Sequence, residues 1–511
     1  MLRHHERMQV KTRFPPENSG HIHIGHAKAA YSNYKFAKIN GGTMMIRFDD
    51  TNPSNCKKEY ADSILEDLRT LGFVADTTEI SNTSIYFDQL QNYAVTMIEN
   101  GYAYVDNTST EQIRQNRKTK TESTSRNNSV DINLLLWEKL LTSTDVDNLV
   151  LRAKINMRDK NACMRDPVLY RRCSKEHYLT KTKYNAYPTY DFSCPILDSI
   201  ENITHTFRTV EYADRTDLYF WVLDKLSLRK PVLQLFSSLR FDHTVMSKRK
   251  IKLLIDTGTL AGWNDPRLCT IKGLIRRGIT AESILKYVDM MYLSSNNTKK
   301  GTYSMLLTIN AGILENKSGR YVAVEKSDAY TATFDPPIDE YTRSVDLHPK
   351  FPKIGEKNMH VSNNIYLEGR DAKTLTVGEE ITLMNLGNAI VTNIHEHQIV
   401  LAPNFAGDFK LTKKKLHWLS AANCCEIQVN EYDHILKTEK LILNDDKSIS
   451  KDCIRIDSHK IINCYAEASL LVVDPGHHVQ LMRRGFHIVD DAKRLVRLPD
   501  SGKVNSFSVY F

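Results

Sequence analysis

The chain has 511 residues, 41% of them hydrophobic, and Lys and Arg outnumber Asp and Glu by 69 to 61, a formal charge of +8. Such a length predicts three to four domains with their own cores, and the mild basic excess suits partial contact with a polyanion. The nine cysteines form no C-x-x-C pair, no run approaches the ~18 apolar residues of a membrane span, and MLRHHERMQVK lacks a signal-peptide core; this argues against a zinc ribbon, a disulfide scaffold and a membrane protein, and for a soluble cytoplasmic protein with reduced thiols.

Met8 to Phe14 reads as a strand. It runs into RFPPENSGHIHIGHAK (Arg13–Lys28), where a proline-stiffened stretch precedes His23-Ile24-Gly25-His26 and a good helix former, AKAAYSNYKFAK, follows. Two imidazoles then sit one turn apart at a helix N-terminus, where outward N–H groups and positive dipole charge collect phosphate oxygens. Gly25 lets the backbone pass close to a nucleotide. The helix is expected to stop near Asn40-Gly41-Gly42. TMMIRF (Thr43–Phe48) is a second buried strand with Asp49 just beyond its end. A helix follows with Tyr60, Ile64, Leu65, Leu68 and Leu71 on one face and Gly72 as its stop. Strand–helix–strand–helix opens a parallel doubly wound sheet, which binds ligands at the carboxyl ends of its strands. His23, His26 and Asp49 fall there.

The polar stretch Thr108–Asp131 interrupts this pattern and predicts an inserted domain, and Val150–Arg172 is basic with alternating apolar residues. Strand pairing is expected again around Tyr187–Ile203, and a helix over Glu211–Leu226. Met246-Ser247-Lys248-Arg249-Lys250 is a second cationic signal. Alone it is a solvated charge run, but the small Ser247 before Lys248 suits a mobile loop that swings an ammonium onto departing phosphates. Residues 255–320 read as mostly helical. After Gly319, short alternating runs (YVAVE, TATFD, EEITLMNLGNAIVTNI, HHVQLMRRGFHIV) divided by turn residues predict antiparallel barrels. In-line attack of a carboxylate on the α-phosphate of ATP spreads negative charge over phosphate oxygens. Prepositioned imidazoles and lysines are suitable donors for it, and no enzyme nucleophile is needed.

The segments RFPPENSGHIHIGHAKAA, MMIRFDDTNP, LRAKINM, CMRDPVLYR, YPTYDFSCPILDSIENITHTFRTVEYADR, VMSKRKI and GWNDPRLCTIKGLIRRGI occur in this order. HPKFPKIGEKN, EGRDAKTL, LMNLGN and QLMRRGF follow. Through them nearly the whole chain resembles the glutamyl/glutaminyl branch of class I aminoacyl-tRNA synthetases, in its eukaryotic cytosolic form. The resemblance implies a multidomain α/β plus β protein. Its parts would be a Rossmann-type catalytic domain in two halves (1–82 and 190–240), an acceptor-stem-binding insertion (83–189), a helical stem-contact region with the Met-Ser-Lys loop (241–320) and two anticodon-binding β-barrels (321–511). It implies a glutamate–tRNA ligase that uses ATP with Mg²⁺, L-glutamate and tRNA-Glu, expected as a monomer, with no protein site for a resident metal.

Residue by residue, the resemblance assigns His23, Gly25 and His26 to the first ATP signature and Met246, Ser247 and Lys248 to the second. His23, His26 and Lys248 carry the catalytic charge work, and Glu17 lies near ATP. Asp49 pairs with the substrate α-ammonium, Tyr190 lines the amino-acid pocket and Arg13 lies at its floor. Asp49 as a helix cap and Tyr190 as a core aromatic are the plainer readings. Arg208, in HTFRTVEY, selects glutamate over glutamine, because a desolvated carboxylate needs a fixed guanidinium and a neutral amide would leave that arginine unpaired. A tRNA contact or a pairing with Glu211 is the alternative for Arg208. Glutaminyl-tRNA synthetase, or a catalytically silent tRNA-binding paralogue, is the alternative for the whole chain. For tRNA, Arg152, Lys154, Arg165 and Arg171 are candidate phosphate contacts, and Arg343, Lys413 to Lys415, Trp418, Arg483 and Arg484 are candidates on the barrels. Three departures stand out. Asn18 replaces a usual proline and is expected to loosen its turn, Asn202 replaces a glycine where positive φ is tolerated, and Val245 replaces a lysine. The sequence opens a dozen residues before the first motif, so docking through an appended N-terminal domain is not expected.

Overall fold

Three strands open the chain: β1 (Lys11–Phe14), β2 (Thr43–Phe48) and β3 (Ile80–Asn82), paired in parallel in the order β1-β2-β3. The computed structural model describes residues 9–143, 148–239, 241–292, 302–446, 448–491 and 493–499. Helix α1 (Ile24–Ile39) crosses from β1 to β2 and buries Ile24, Ala27, Lys28 and Ala30 at helical spacing. Its alanines favour the helix, and Gly41 at φ +64° ends it. Helix α2 (Lys58–Thr70) buries Tyr60, Ala61, Ile64 and Leu68, and Gly72 at φ +71° stops it. Side chains such as Ile46, Ile64 and Leu68 are fully enclosed, each contributing roughly 1.5–3 kcal/mol of hydrophobic stabilisation.

The insertion begins after β3. Helix α3 (Phe87–Glu99), strand β4 (Ala103–Asp106), helices α4 (Thr110–Thr119) and α5 (Val130–Thr142), and strands β5 (Val150–Ala153), β6 (Val168–Arg172) and β7 (Ala186–Pro188) build it. The strands form an antiparallel sheet in the order β4-β5-β6-β7. Leu90, Met97 and Ile98 of α3 and Trp137 and Leu140 of α5 pack on Val105, Leu151 and Leu169 of the sheet. The polar run after Thr108 is ordered by local caps, with Ser109 accepting the Gln112 N–H and Thr108 and Ser123 donating to Asp106.

Helix α6 (Tyr190–Ile200) corrects the expectation of strand pairing through Ile203. Phe192, Ile196 and Leu197 recur at helical spacing and are buried in the insertion's cluster, which outweighs Pro195. Asn202 then takes φ +59°, as its residue type allows. Strand β8 (His205–Thr209) comes beside β1, where the Thr204 N–H donates to the Lys11 carbonyl at 2.9 Å. Helix α7 (Thr216–Lys225), entered by a 3₁₀ turn over Val210–Arg215, leads to β9 (Val232–Phe236), parallel to β8. A second, two-stranded parallel sheet, β8-β9, thus follows the inserted segment beside β1.

The chain divides into two compact units, residues 1–240 with 288–301 and residues 241–287 with 302–511. In the second, helix α8 (Lys248–Asp256) buries Ile251 and Leu254 in a cluster with Val245, Leu260, Leu268, Ile435, Leu436 and Leu441. Burial of Val245 there accounts for an apolar residue in place of the usual lysine. Two seven-stranded sheets follow. One has Gly319–Tyr321 and Ala323–Glu325 as its edges, and the other Lys415–Leu416 and Trp418–Ser420. In each sheet the two edges are separated by a single residue of chain, so each curls until it nearly closes, which removes exposed strand edges. Pairing is mixed rather than purely antiparallel. Strands that return from afar pair in parallel, such as Gly319–Tyr321 with residues 479–481.

Candidate active site

The turn between β1 and α1 makes the first wall. His23 caps α1 with extended backbone at φ −120° and ψ 174°. Its Nδ1 accepts the Gly25 N–H at 3.1 Å, and its own N–H donates to His26 Nδ1 at 3.2 Å. This is a capping box built from two histidines. It fixes both tautomers: with Nδ1 serving as acceptor, each neutral ring carries its proton on Nε2 and offers an N–H donor. The ring centroids lie 3.9 Å apart. Gly25 is needed for close packing as well, because a Cβ there would sit 2.9 Å from His23 Cε1 and 3.3 Å from the Leu239 carbonyl. Three residues on, buried Lys28 donates to the Ser237 carbonyl at 2.6 Å and its hydroxyl at 3.0 Å, tying α1 to the segment after β9. Burial pushes its ammonium down to about 8, against the nearby Glu211.

The acidic turn after β2 makes the second wall. The Asp49 N–H donates to the Pro16 carbonyl at 3.0 Å, and Glu17 bridges to Asp49, so the proline-stiffened stretch runs alongside the end of β2. Asn18 lies within this turn. It is buried, and its carbonyl accepts the Lys57 N–H at 3.1 Å. The Asp49 carboxylate accepts the Thr51 hydroxyl at 2.8 Å. Burial pushes Asp49 up to about 6; the Thr51 bonds oppose the rise, and the charges of Glu17 and Asp50 add to it.

Arg208 lies on β8 and is 5% exposed. Its guanidinium carbon sits 5.8 Å from the Tyr190 ring, 5.0 Å from Tyr212 and 5.3 Å from Tyr219. These faces attract the cation, yet its Nε and Nη1 are buried with no hydrogen-bond partner. A narrow crevice bordered by Tyr190, Asp191, Cys194, Pro195, Arg208, Arg215 and Tyr219 lies beside it. Arg215 is occupied by an ion pair with Asp191. Arg208 does not pair with Glu211, which instead accepts the Ser238 hydroxyl.

Arg13 does not share this role. It is fully enclosed, with Nε on Asp198 at 2.8 Å and its other nitrogens toward the Phe207 carbonyl at 3.5 Å and Cys194 Sγ at 3.7 Å. Asp198 also takes Arg47 at 2.6 Å and the Tyr219 hydroxyl at 2.7 Å. Although its burial alone would raise it, the two guanidinium groups hold the Asp198 carboxyl down at about 2. The expectation that Arg13 grips a ligand is therefore corrected: its charge is already answered by Asp198. Arg13 is neutralised beneath the pocket and steadies the aspartate that orients Tyr219. Sequence reasoning missed Lys28, Asp198, Tyr212 and Tyr219. Spacing offered a signal for Lys28 alone, a charge on the apolar face between Ala27 and Ala30.

Met246, Ser247 and Lys248 belong to the second unit. Ser247 caps α8 with extended backbone, and Lys248 is its first helical residue. Lys250 donates to the Leu441 carbonyl at 3.1 Å, and the His243 N–H to the Glu439 carbonyl at 3.1 Å, so both flanks of the lysine are anchored.

The candidate tRNA contacts divide sharply. Arg152 is corrected to a structural role. It is fully buried, with Nη1 on Asp106 at 2.7 Å and Nε on the Asp166 carbonyl at 2.8 Å, and has no surface for a phosphate. Trp418 is likewise a core residue, its indole N–H on the Met384 carbonyl at 2.9 Å. Arg484 is held by Glu368 at 2.6 Å, and Arg483 pairs with Asp371. Arg165 is spent on the carbonyls of Asp159, Arg117 and Lys160. Lys154 is half-buried, while Arg171 and Arg343 are exposed.

Comparison with known proteins agrees with this layout. Residues 9–314 match the catalytic-domain model of class I tRNA synthetases (E and Q), and residues 318–404 and 415–490 match two anticodon-binding domain models of the same class. Over 503 residues the chain is 39% identical to a probable cytoplasmic glutamate–tRNA ligase of Enterocytozoon bieneusi, covering 96% of this chain and 77% of that one. It is 37% identical to the probable cytoplasmic enzyme of Schizosaccharomyces pombe, covering 98% and 71%. To the cytoplasmic glutamate–tRNA ligase of Arabidopsis thaliana it is 37% identical, covering 94% and 68%. A match over both catalytic and anticodon-binding parts, in one order and along nearly the whole length, makes this chain a member of the class I tRNA synthetases of the E and Q type.

Proposed function

We propose that this chain is a cytoplasmic glutamate–tRNA ligase. It activates glutamate with ATP to glutamyl-adenylate and pyrophosphate, then passes the acyl group to the 3′ end of tRNA-Glu. The observation that carries the amino-acid assignment is Arg208, a buried guanidinium beside a crevice with two nitrogens unpartnered. A substrate carboxylate supplies the missing acceptors and a neutral amide cannot supply them as well. Asp49 pairs with the α-ammonium, and Tyr190 borders the side chain. The Nε2–H donors of His23 and His26 take the phosphate oxygens at the N-terminus of α1, and Gly25 gives the nucleotide room. Glu17 lies near ATP, and Met246, Ser247 and Lys248 bring an ammonium to the pyrophosphate side. Mg²⁺ is proposed to arrive on the ATP phosphates. Arg171 and Lys154 of the insertion and Arg343 of the two-stranded sheet formed by Tyr341–Asp346 and Glu356–Val361 remain the proposed tRNA contacts. The active species is proposed to be a monomer.

The deciding experiment is charging of purified tRNA-Glu and tRNA-Gln with each amino acid. Glutamate on tRNA-Glu is expected. Preference for glutamine, or binding of tRNA without charging, would overturn the assignment.

A pH profile tests Asp49 separately. A carboxyl raised to about 6 is protonated below that pH and loses its pairing with an ammonium. The kcat/KM for glutamate should therefore rise with pH through about 6 and level off above it. The charged or titratable groups facing Asp49 are Glu17, Asp50, Cys56 and Tyr212, and Asp50 is itself raised to about 6. Asp49→Asn should lose the limb; a limb that survives there belongs to Asp50.

A further inference from the structure

We propose that His177 is a positioning residue for the amino-acid site: it ties the loop between β6 and β7 of the insertion to the acidic turn after β2, and so fixes Asp49 for the substrate ammonium. This rests on the reading of Asp49 given above. His177 is fully buried. Its Nδ1 accepts the N–H groups of Leu179 at 3.2 Å and Thr180 at 3.1 Å. The ring proton therefore sits on Nε2, which donates to the Asp50 carbonyl at 2.8 Å. Phe87 and Tyr187 lie against the ring with centroids 5.8 and 6.1 Å away, so it has little freedom to turn.

The other end of Asp50 is held by the insertion too. Its carboxylate accepts the Ser84 N–H at 2.8 Å and the Ser84 hydroxyl at 2.6 Å. Two segments more than 90 residues apart, around Ser84 and His177, thus clamp one residue of the turn from both sides. Its neighbour Asp49 is left to face the site, braced by Thr51. The clamp needs a neutral imidazole, since a doubly protonated ring cannot accept from Leu179 and Thr180. The charged or titratable groups near the ring are Asp50, with Oδ2 at 3.6 Å, Tyr178 and Tyr187 at centroid distances of 5.0 and 6.1 Å, and Lys181. Burial keeps the ring below its ordinary pKa, which preserves the neutral form.

Full-length variants should be compared by ATP–pyrophosphate exchange with tRNA-Glu present. His177→Gln keeps a side-chain N–H long enough to reach Asp50. His177→Asn keeps an acceptor for Leu179 and Thr180 but falls short of Asp50. His177→Asn is expected to raise KM for glutamate roughly tenfold, in line with a sub-ångström misplacement of a binding group, with KM for ATP within about twofold. It should also move the acid limb of kcat/KM to lower pH, because water reaches a loosened Asp49. His177→Gln should stay close to the parent in both respects. Equal changes in the two KM values, a loss of thermal stability alone, or identical behaviour of Asn and Gln would overturn the proposal. If Asp49→Asn itself leaves KM for glutamate unchanged, the reading of Asp49 and this inference fail together. If Asp49→Asn raises it and His177→Asn does not, the inference alone fails.

Discussion

Replacing Arg208 with alanine is expected to lower kcat/KM for glutamate by about 10²–10⁴, with KM for ATP nearly unchanged. The magnitude follows from burial. A carboxylate that enters a water-poor crevice without its cation is an uncompensated charge, which costs ~3–5 kcal/mol, and each 1.36 kcal/mol is roughly tenfold in rate. Three tyrosine rings surround the guanidinium, but rings do not accept the in-plane N–H groups as a carboxylate does, and Nε and Nη1 are the atoms left over. Arg208→Lys separates charge from geometry. It retains the positive charge and loses the planar fork, so an intermediate loss of about tenfold is expected. The ratio of kcat/KM for glutamate over glutamine should fall in both variants, more steeply in alanine. An unchanged ratio would mean that Arg208 serves the tyrosine cage and not the ligand. Arg13 cannot stand in for it, because Asp198 already answers that charge and no surface of Arg13 is exposed.

The parts of this site that were legible in the sequence are those whose partners lie close along the chain. The strand, the turn with His23 and His26 and the helix after it are a local unit, and so is Asp49 at the end of β2. Spacing carries that information because period and caps act over a few residues. What spacing could not carry is the pairing of groups far apart. Arg13 meets Asp198 across 185 residues, and His177 meets Asp50 across 127. In one dimension Arg152 looks like any basic residue in a basic run. Only the antiparallel pairing of β4 and β5 brings it to Asp106 and turns a candidate phosphate contact into an internal ion pair. Helix α6, where strand pairing was expected, has a related cause: burial of Phe192, Ile196 and Leu197 on one face, against residues of the insertion far along the chain, decides for helix. Barrel strands were visible as alternation, but closure depends on edge strands one residue apart, which no alternation reveals.

Replacing His26 with asparagine is expected to lower the rate of ATP–pyrophosphate exchange by about 10²–10³ while leaving KM for glutamate within a few fold, the size of effect seen when one prepositioned transition-state donor is removed. Asparagine is the informative replacement. Its side-chain oxygen can still accept the His23 N–H that His26 Nδ1 accepts at 3.2 Å, so the cap survives. Alanine would in addition cost ~1 kcal/mol of helix capping, which mixes stability with chemistry. What asparagine lacks is reach, because its amide ends near the position of Nδ1 and offers nothing where Nε2–H stands. The donor matters because the Gly25 N–H and the His23 N–H, two of the N–H groups at the start of α1, are spent on the rings themselves. The turn has given up backbone donors to orient two imidazoles, and on the proposed function the phosphate charge would depend on the imidazole protons. If His26→Asn exchanges pyrophosphate and charges tRNA at the parental rate, the paired rings are a cap and nothing more.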